Sequence, residues 1–377
     1  PLRRQRQMCI RDRLYILQAI VLAKLFKYKG NLKGKGEKSF IFFLALLLPS
    51  LMAAFRGATG TDSIMYRTVY EFGEESVLRW QEFESGFMLL ISILRKLHLP
   101  YQALFFTMSF LTTLFVYLWI DKEKEHINIE LSVFTYFMTM YLYSYNALRQ
   151  ALAVAICLYA VSLFIRKRKI IGVILIFIAT FFHASALIVL VVVFAKFIFE
   201  NRYKRIFLMS VVVVALYLVA NRDLLGNIVR VVTGSNYYAS YITRDAYTDG
   251  SMIGYYIKIS PIILISAFNF KNYKKYSNMY TYFGLMIGGY ILGSLGSVTG
   301  TQVGRVGDYF QYLNIVVLGF CATQSMPLPK MGGKRSVKIG KNTVTGIIYS
   351  YVLIHEIYSV LIRNFGEYLP YQGLFKL

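Results

Sequence analysis

Apolar runs alternate with short basic clusters along almost the whole chain, and the run lengths predict helices that cross a bilayer. Residues 14–26 are apolar but, at about 1.5 Å per residue, fall short of a hydrocarbon core about 30 Å thick. A first helix whose start is missing is expected there. Lys27, Lys29, Lys33, Lys35 and Lys38 follow, and residues 40–55 form the next run. The bias of Lys and Arg toward the cytoplasm then places these lysines inside and residues 56–85 in a first outer loop. Residues 87–97 are too short to span and end near Arg95, Lys96 and His98, which predicts an interfacial or re-entrant helix after that loop.

The pattern continues with residues 101–120 inward, 131–145 outward and 148–165 inward to the cluster at 166–169. Residues 170–199 have basic clusters at both ends, so this run must turn near the outer face, with His183 almost at its midpoint. Residues 206–220 lead out to a second outer loop at 221–252. After it, 253–270 lead in, 279–295 out, 306–322 in to a cytoplasmic loop at 330–341, and 344–362 out. The alternation closes without a parity error, predicting an all-α, polytopic integral membrane protein of about 12 transmembrane helices. Residues 1–13 (PLRRQRQMCIRDR) carry no usable apolar run and resemble translated sequencing-adaptor read-through. They are expected to be non-native and are set aside, leaving 14–377 as a single transmembrane domain.

Composition narrows the class further. The chain of 377 residues is 56% hydrophobic and 16% charged, with a mean hydropathy of +0.50, too apolar for a soluble domain of that length. A net charge of +23 would suggest nucleic acid if the basic residues formed a stripe interleaved with aromatics. They lie instead in clusters between apolar runs, so no nucleic-acid partner is expected and the bilayer itself is the surrounding medium. Cys9, Cys157 and Cys321 are scattered, which indicates neither a disulfide framework nor a metal knuckle. Phosphate-cradling loops, HExxH, EF-hand and DxD patterns are lacking, and neither a metal nor a cofactor is expected.

The two faces differ in which cation they use. The inner clusters mix Lys with Arg, whereas the predicted outer face carries Arg56, Arg67, Arg79, Arg149, Arg222, Arg230, Arg244, Arg305 and Arg363 with few lysines. A guanidinium offers a rigid fork for phosphate or carboxylate, so outer arginines at helix ends suit an anion site. The plainer alternative is interfacial anchoring or pairing with neighbouring acids, and it suits Arg222 beside Asp223 and Arg244 beside Asp245 best. Arg149 and Arg305 stand where helices enter the bilayer, where an ionisable group is costly. His183 is either a packed, hydrogen-bonded histidine or a proton acceptor, and Asp62 either closes a turn through Gly60 and Thr61 or serves as a base. Tyr237, Tyr238, Tyr241 and Tyr247 suit stacking on sugars and equally an interfacial belt. Glycines at 284, 288, 289, 293, 296, 300 and 304 make small-xxx-small spacings that favour close helix packing.

Four motifs in order carry a resemblance. F-R-G-A-T-G-T-D-S-I-M-Y at 55–66, N-A-L-R-Q-A-L-A at 146–153, F-H-A-S-A at 182–186 and G-R-V-G-D-Y-F at 304–310 resemble the EpsG family of Wzy-like exopolysaccharide polymerases. The likeness runs from about residue 40 to the C-terminus. It implies a multi-spanning glycosyltransferase that joins polyprenyl-pyrophosphate-linked oligosaccharide repeats at the outer face of a bacterial cytoplasmic membrane, alongside other polysaccharide-assembly proteins. It further implies that His183 and Asp62 are catalytic and that Arg56, Tyr66, Arg149, Gln150, Ser185, Arg305 and Asp308 bind substrate. Such a transfer needs fixed cations for charge developing on pyrophosphate and a base near the acceptor hydroxyl, and the residues supply both. A lipid-linked oligosaccharide flippase or a membrane acyltransferase is the alternative. A flippase would show internal repeats and charges deep at the midplane, and an acyltransferase a path for its donor from the cytoplasm.

Overall fold

The computed structural model describes residues 2–76, 83–190, 252–273, 275–299, 301–327 and 338–362, with a few isolated positions elsewhere. Among the described residues it is all-helical, apart from one short antiparallel pairing of Met326–Pro327 with Lys338–Ile339. Helix α1 (Leu2–Asn31) runs on through the residues set aside above, and α2 (Lys35–Ala54), α3 (Ser63–Phe72), α4 (Ser85–Lys96) and α5 (Gln102–Glu123) follow. Next come α6 (Ile129–Tyr136), capped by the Asn128 side chain accepting from the Leu131 amide, and a π segment, Phe137–Tyr141. Then come α7 (Leu142–Asn146), α8 (Leu148–Ile165) and α9 (Lys169–Thr180). Beyond these lie α10 (Met252–Phe268) and α11 (Ser277–Thr299), followed by short helical pieces and the helix Lys341–Glu356.

Three of the described helices, α2, α5 and α8, are long and apolar enough to cross a membrane. Together with the composition they make this a membrane protein. Helix α8 is the axis of the bundle: nearly all of it is buried, and it packs on α5 and α9 while α2 packs on α5. Ala151, Ala153, Ala155 and Ala160 give α8 a thin surface on which neighbours can lie close. At the proline inside α2, a tyrosine repairs the broken ladder. Pro49 in α2 has no N–H for the carbonyl of Ala45, and the Tyr117 hydroxyl of α5 donates to that oxygen at 3.4 Å.

Two features differ from the sequence reading. Within residues 56–85, read from the sequence as a loop, α3 folds and buries Tyr66, Val69 and Tyr70. The run at 306–322 is not one helix. It divides into Thr301–Val306, Asp308–Gln311 and Asn314–Cys321. Gly307 at the first break packs against α11 so closely that a Cβ there would lie 2.5 Å from the Gly289 carbonyl oxygen. The glycine spacing read as close packing is thus realised between α11 and these pieces, and Gly296 faces Gly304 with no room for a side chain on either. The run at 206–220 and most of the second outer loop lie outside the described residues.

Candidate active site

Arg149 is the second residue of α8, and three other elements converge on it. Glu84 precedes α4 in extended backbone, at the cap position, yet its carboxylate bonds none of the amides of α4. It reaches instead to α8 and to the turn that ends α9. Glu84 Oε2 accepts from Arg149 Nη1, while Oε1 accepts from the Ala184 amide at 3.3 Å and lies 2.7 Å from His183 Nδ1. An ionised carboxylate can only accept, so Nδ1 carries the imidazole proton. Gly86 makes the approach possible: its amide donates to the Phe181 carbonyl at 3.0 Å, and a Cβ in its place would lie 2.7 Å from that oxygen. The Arg149 guanidinium also covers the Phe83 ring, 4.6 Å from its centroid.

Burial raises the pKa of Glu84, but the hydrogen bond to His183 and the charge of Arg149 outweigh it and hold the carboxyl at about 2. The carboxylate is therefore ionised throughout the neutral range.

Gln150, the next residue on α8, ties the other half of the cluster to the first. Its amide donates to the Arg305 carbonyl at 2.8 Å and to Asp308 Oδ2 at 3.5 Å, and Asp308 Oδ1 accepts from the Gln311 amide. The Arg305 guanidinium lies close enough to act electrostatically on Tyr143, Asp308, Asp62 and Tyr66, and the Tyr66 hydroxyl also interacts with Arg149. Tyr66 therefore lies within the electrostatic reach of two arginines from opposite halves of the chain. Ser185, two residues past His183, shares a hydrogen bond of 3.0 Å with the Tyr309 hydroxyl.

A sequence model of the EpsG family matches residues 39–372. The chain belongs to the EpsG family. No curated protein and no solved structure matches it.

In this EpsG-family chain, Tyr66, Arg149, Gln150, His183, Ser185, Arg305 and Asp308, named from the sequence, come together in one cluster. Asp62 joins it on the Arg305 side. The Asp62 carboxylate does not cap α3, and its Oδ1 accepts from the Thr61 hydroxyl at 3.1 Å. Arg56 is placed differently. It is 1% exposed, with its guanidinium 4.2 Å from the Phe105 ring centroid and 4.5 Å from that of Tyr145. Its charge is held by aromatic faces beneath the cluster. Arg67 pairs with Glu71 at 2.9 Å and lies over Tyr101, the plainer role for an outer arginine. Arg79, Arg222, Arg244, Arg363 and the tyrosines at 237, 238, 241 and 247 lie outside the described residues.

Sequence reasoning passed over Glu84, Tyr143, Tyr309 and Gln311. Glu84 was one of several acids in a loop; its one distinguishing signal is its place immediately before Ser85 and Gly86 at the start of an apolar helix.

Proposed function

We propose that this protein is a polysaccharide polymerase that joins polyprenyl-pyrophosphate-linked oligosaccharide repeats at the outer face of the bacterial cytoplasmic membrane. In this reading about twelve crossings carry the chain through the bilayer, with loops 56–85 and 221–252 outside. The observation that supports it most is the linking of His183 to Arg149 through Glu84, with Tyr66 within the electrostatic reach of both Arg149 and Arg305. Glycosyl transfer from a lipid pyrophosphate forms a bond from an acceptor hydroxyl oxygen to the anomeric carbon and breaks the bond from that carbon to the phosphate oxygen. Negative charge develops on the departing pyrophosphate, and two fixed guanidinium groups are suited to receive it. The hydroxyl proton must go to a base within reach, and His183 is the assigned acceptor, with Asp62 as the other carboxylate in the cluster. Other polysaccharide-assembly proteins are the expected partners.

His183→Gln tests the assignment, because glutamine keeps much of the size and hydrogen bonding but cannot take up the proton. In cells that make the native repeat, the expected result is accumulation of lipid-linked single repeats with no ladder of longer chains. A normal ladder from stably expressed His183→Gln returns His183 to a packing role.

A further inference from the structure

Glu84 makes three contacts to elements other than its own helix, and all three bear on the site. Its side chain is 11% exposed. One oxygen serves the His183 imidazole and the Ala184 amide, and the other serves the Arg149 guanidinium. A cap-position carboxylate would ordinarily bond the first amides of its own helix. Here the amide of Gly86 goes to the Phe181 carbonyl, which pins α4 against the turn carrying His183 and turns the carboxylate away from α4.

From this geometry we infer that Glu84 is a positioning residue: it fixes His183 with its proton on Nδ1, so that Nε2 is the nitrogen that takes the acceptor proton, and it aims Arg149 from the same carboxylate. The inference rests on the reading of His183 as the base. As the hydroxyl oxygen bonds to the anomeric carbon and the electron pair of the breaking bond leaves with the pyrophosphate, the hydroxyl proton passes to Nε2. The ring then carries a positive charge, and its Nδ1–H points at the Glu84 carboxylate. A base oriented by a third group in this way is a recurring solution to nucleophile activation. Among the described residues, the charged or titratable groups near the pair include Arg149 from α8, Tyr66 from α3, which interacts with Arg149, and Tyr309 beside Ser185. Glu84 supplies the acceptor that decides the tautomer.

The tautomer can be read without any substrate. The chain has four histidines, so nitrogen-15 spectra of the full-length protein, labelled at histidine and held in lipid nanodiscs well above the ordinary histidine pKa, are assignable by subtracting the His183→Gln spectrum. His183 is expected to be protonated at Nδ1 in the wild type and to move to a mixture rich in the Nε2–H form in Glu84→Gln. Glu84→Asp keeps the charge and is expected to retain the Nδ1–H form. Gly86→Ala keeps the carboxylate but forces α4 off Phe181, and it must also release the tautomer. This second variant decides the question even where Glu84→Gln fails to accumulate. In cells making the native repeat, Glu84→Gln is expected to lose polymer formation by about 10²-fold, the lower end of what a correctly held base contributes, with part of the rate restored in Glu84→Asp. An unchanged tautomer in Glu84→Gln and Gly86→Ala overturns the inference, as does normal polymer from Glu84→Gln in cells where His183→Gln makes none. Normal polymer from His183→Gln overturns the reading of His183 as base instead, and leaves the tautomer measurement to judge Glu84 alone.

Discussion

Arg149 meets the Glu84 carboxylate, the Phe83 ring and the Tyr66 hydroxyl from a single planar group, and this combination is one that lysine cannot reproduce. A point charge on a flexible stem can neutralise Glu84 but cannot hold the ring face and a phosphate fork together. Arg149→Lys and Arg305→Lys are therefore each expected to insert normally and to lower polymer formation by about 10²-fold, comparable with removing one preorganised donor from a charged transition state. Normal ladders from both would make the arginines anchors. Glu84 carries a pH signature of its own. Its folded pKa of about 2 lies below the ordinary value of 4.5, so the ionised carboxylate contributes stability that is fully present above 4.5 and is lost as pH falls through about 2. The difference in unfolding temperature between wild type and Glu84→Gln should shrink as the pH falls from about 4.5 toward about 2. A difference that is flat to pH 2 would mean that the carboxylate gains nothing from its partners.

At the level of elements, α5, α8 and α11 are clamped at the end remote from Arg149. Glu123, fully buried at the end of α5, accepts from Arg166 Nη1 at 2.7 Å and Nη2 at 3.1 Å and from the Tyr282 hydroxyl of α11 at 2.7 Å. Arg166→Ala strands a buried carboxylate and is expected to lower stability by about 3 kcal/mol, whereas replacing both Glu123 and Arg166 with leucine should recover much of that loss. Denaturant unfolding in detergent checks the order of the three proteins. Helix α8 was legible in the sequence to the residue, because an unbroken apolar run between an Arg and a basic cluster admits one reading. The breaks around Gly307 were not. They depend on where the backbone of α11 lies, and a run of apolar residues beside a glycine reads as a continuous helix until that neighbour is in place. Glu84 escaped for the same reason: its place before Ser85 and Gly86 is a faint local signal, and its meaning comes from Gly86 meeting Phe181, nearly a hundred residues away in sequence. His183 and Arg149 were legible because charge inside an apolar pattern is conspicuous wherever its partner lies.

At the scale of the whole molecule, charged contacts among the described residues include two groups. At one end Lys27 pairs with Glu130, Lys29 with Asp121, and Arg166 with Glu123. At the other lie Glu84, Arg149 and His183, near Tyr66, with Arg305 and Asp62. Lysines mark the first end and arginines dominate the second, and because cytoplasmic loops collect basic residues with lysine prominent among them, the first end is assigned to the cytoplasm and the site to the outside. The assignment makes a prediction that does not depend on any activity. In a chain whose native cysteines are replaced by serine, single cysteines at Lys33, Lys167 and Gly333 should react with a membrane-impermeant thiol reagent only after the membrane is opened. Cysteines at Ser76 and Asn236 should react in intact cells. Labelling of Gly333→Cys from outside would break the alternation at its last inner loop, and labelling of Lys167→Cys would invert α8 and carry Arg149 to the cytoplasmic face. A polymerase working on exported repeats could not use a site there, whereas an enzyme drawing its donor from the cytoplasm could, so the same experiment separates polymerisation from membrane acyl transfer.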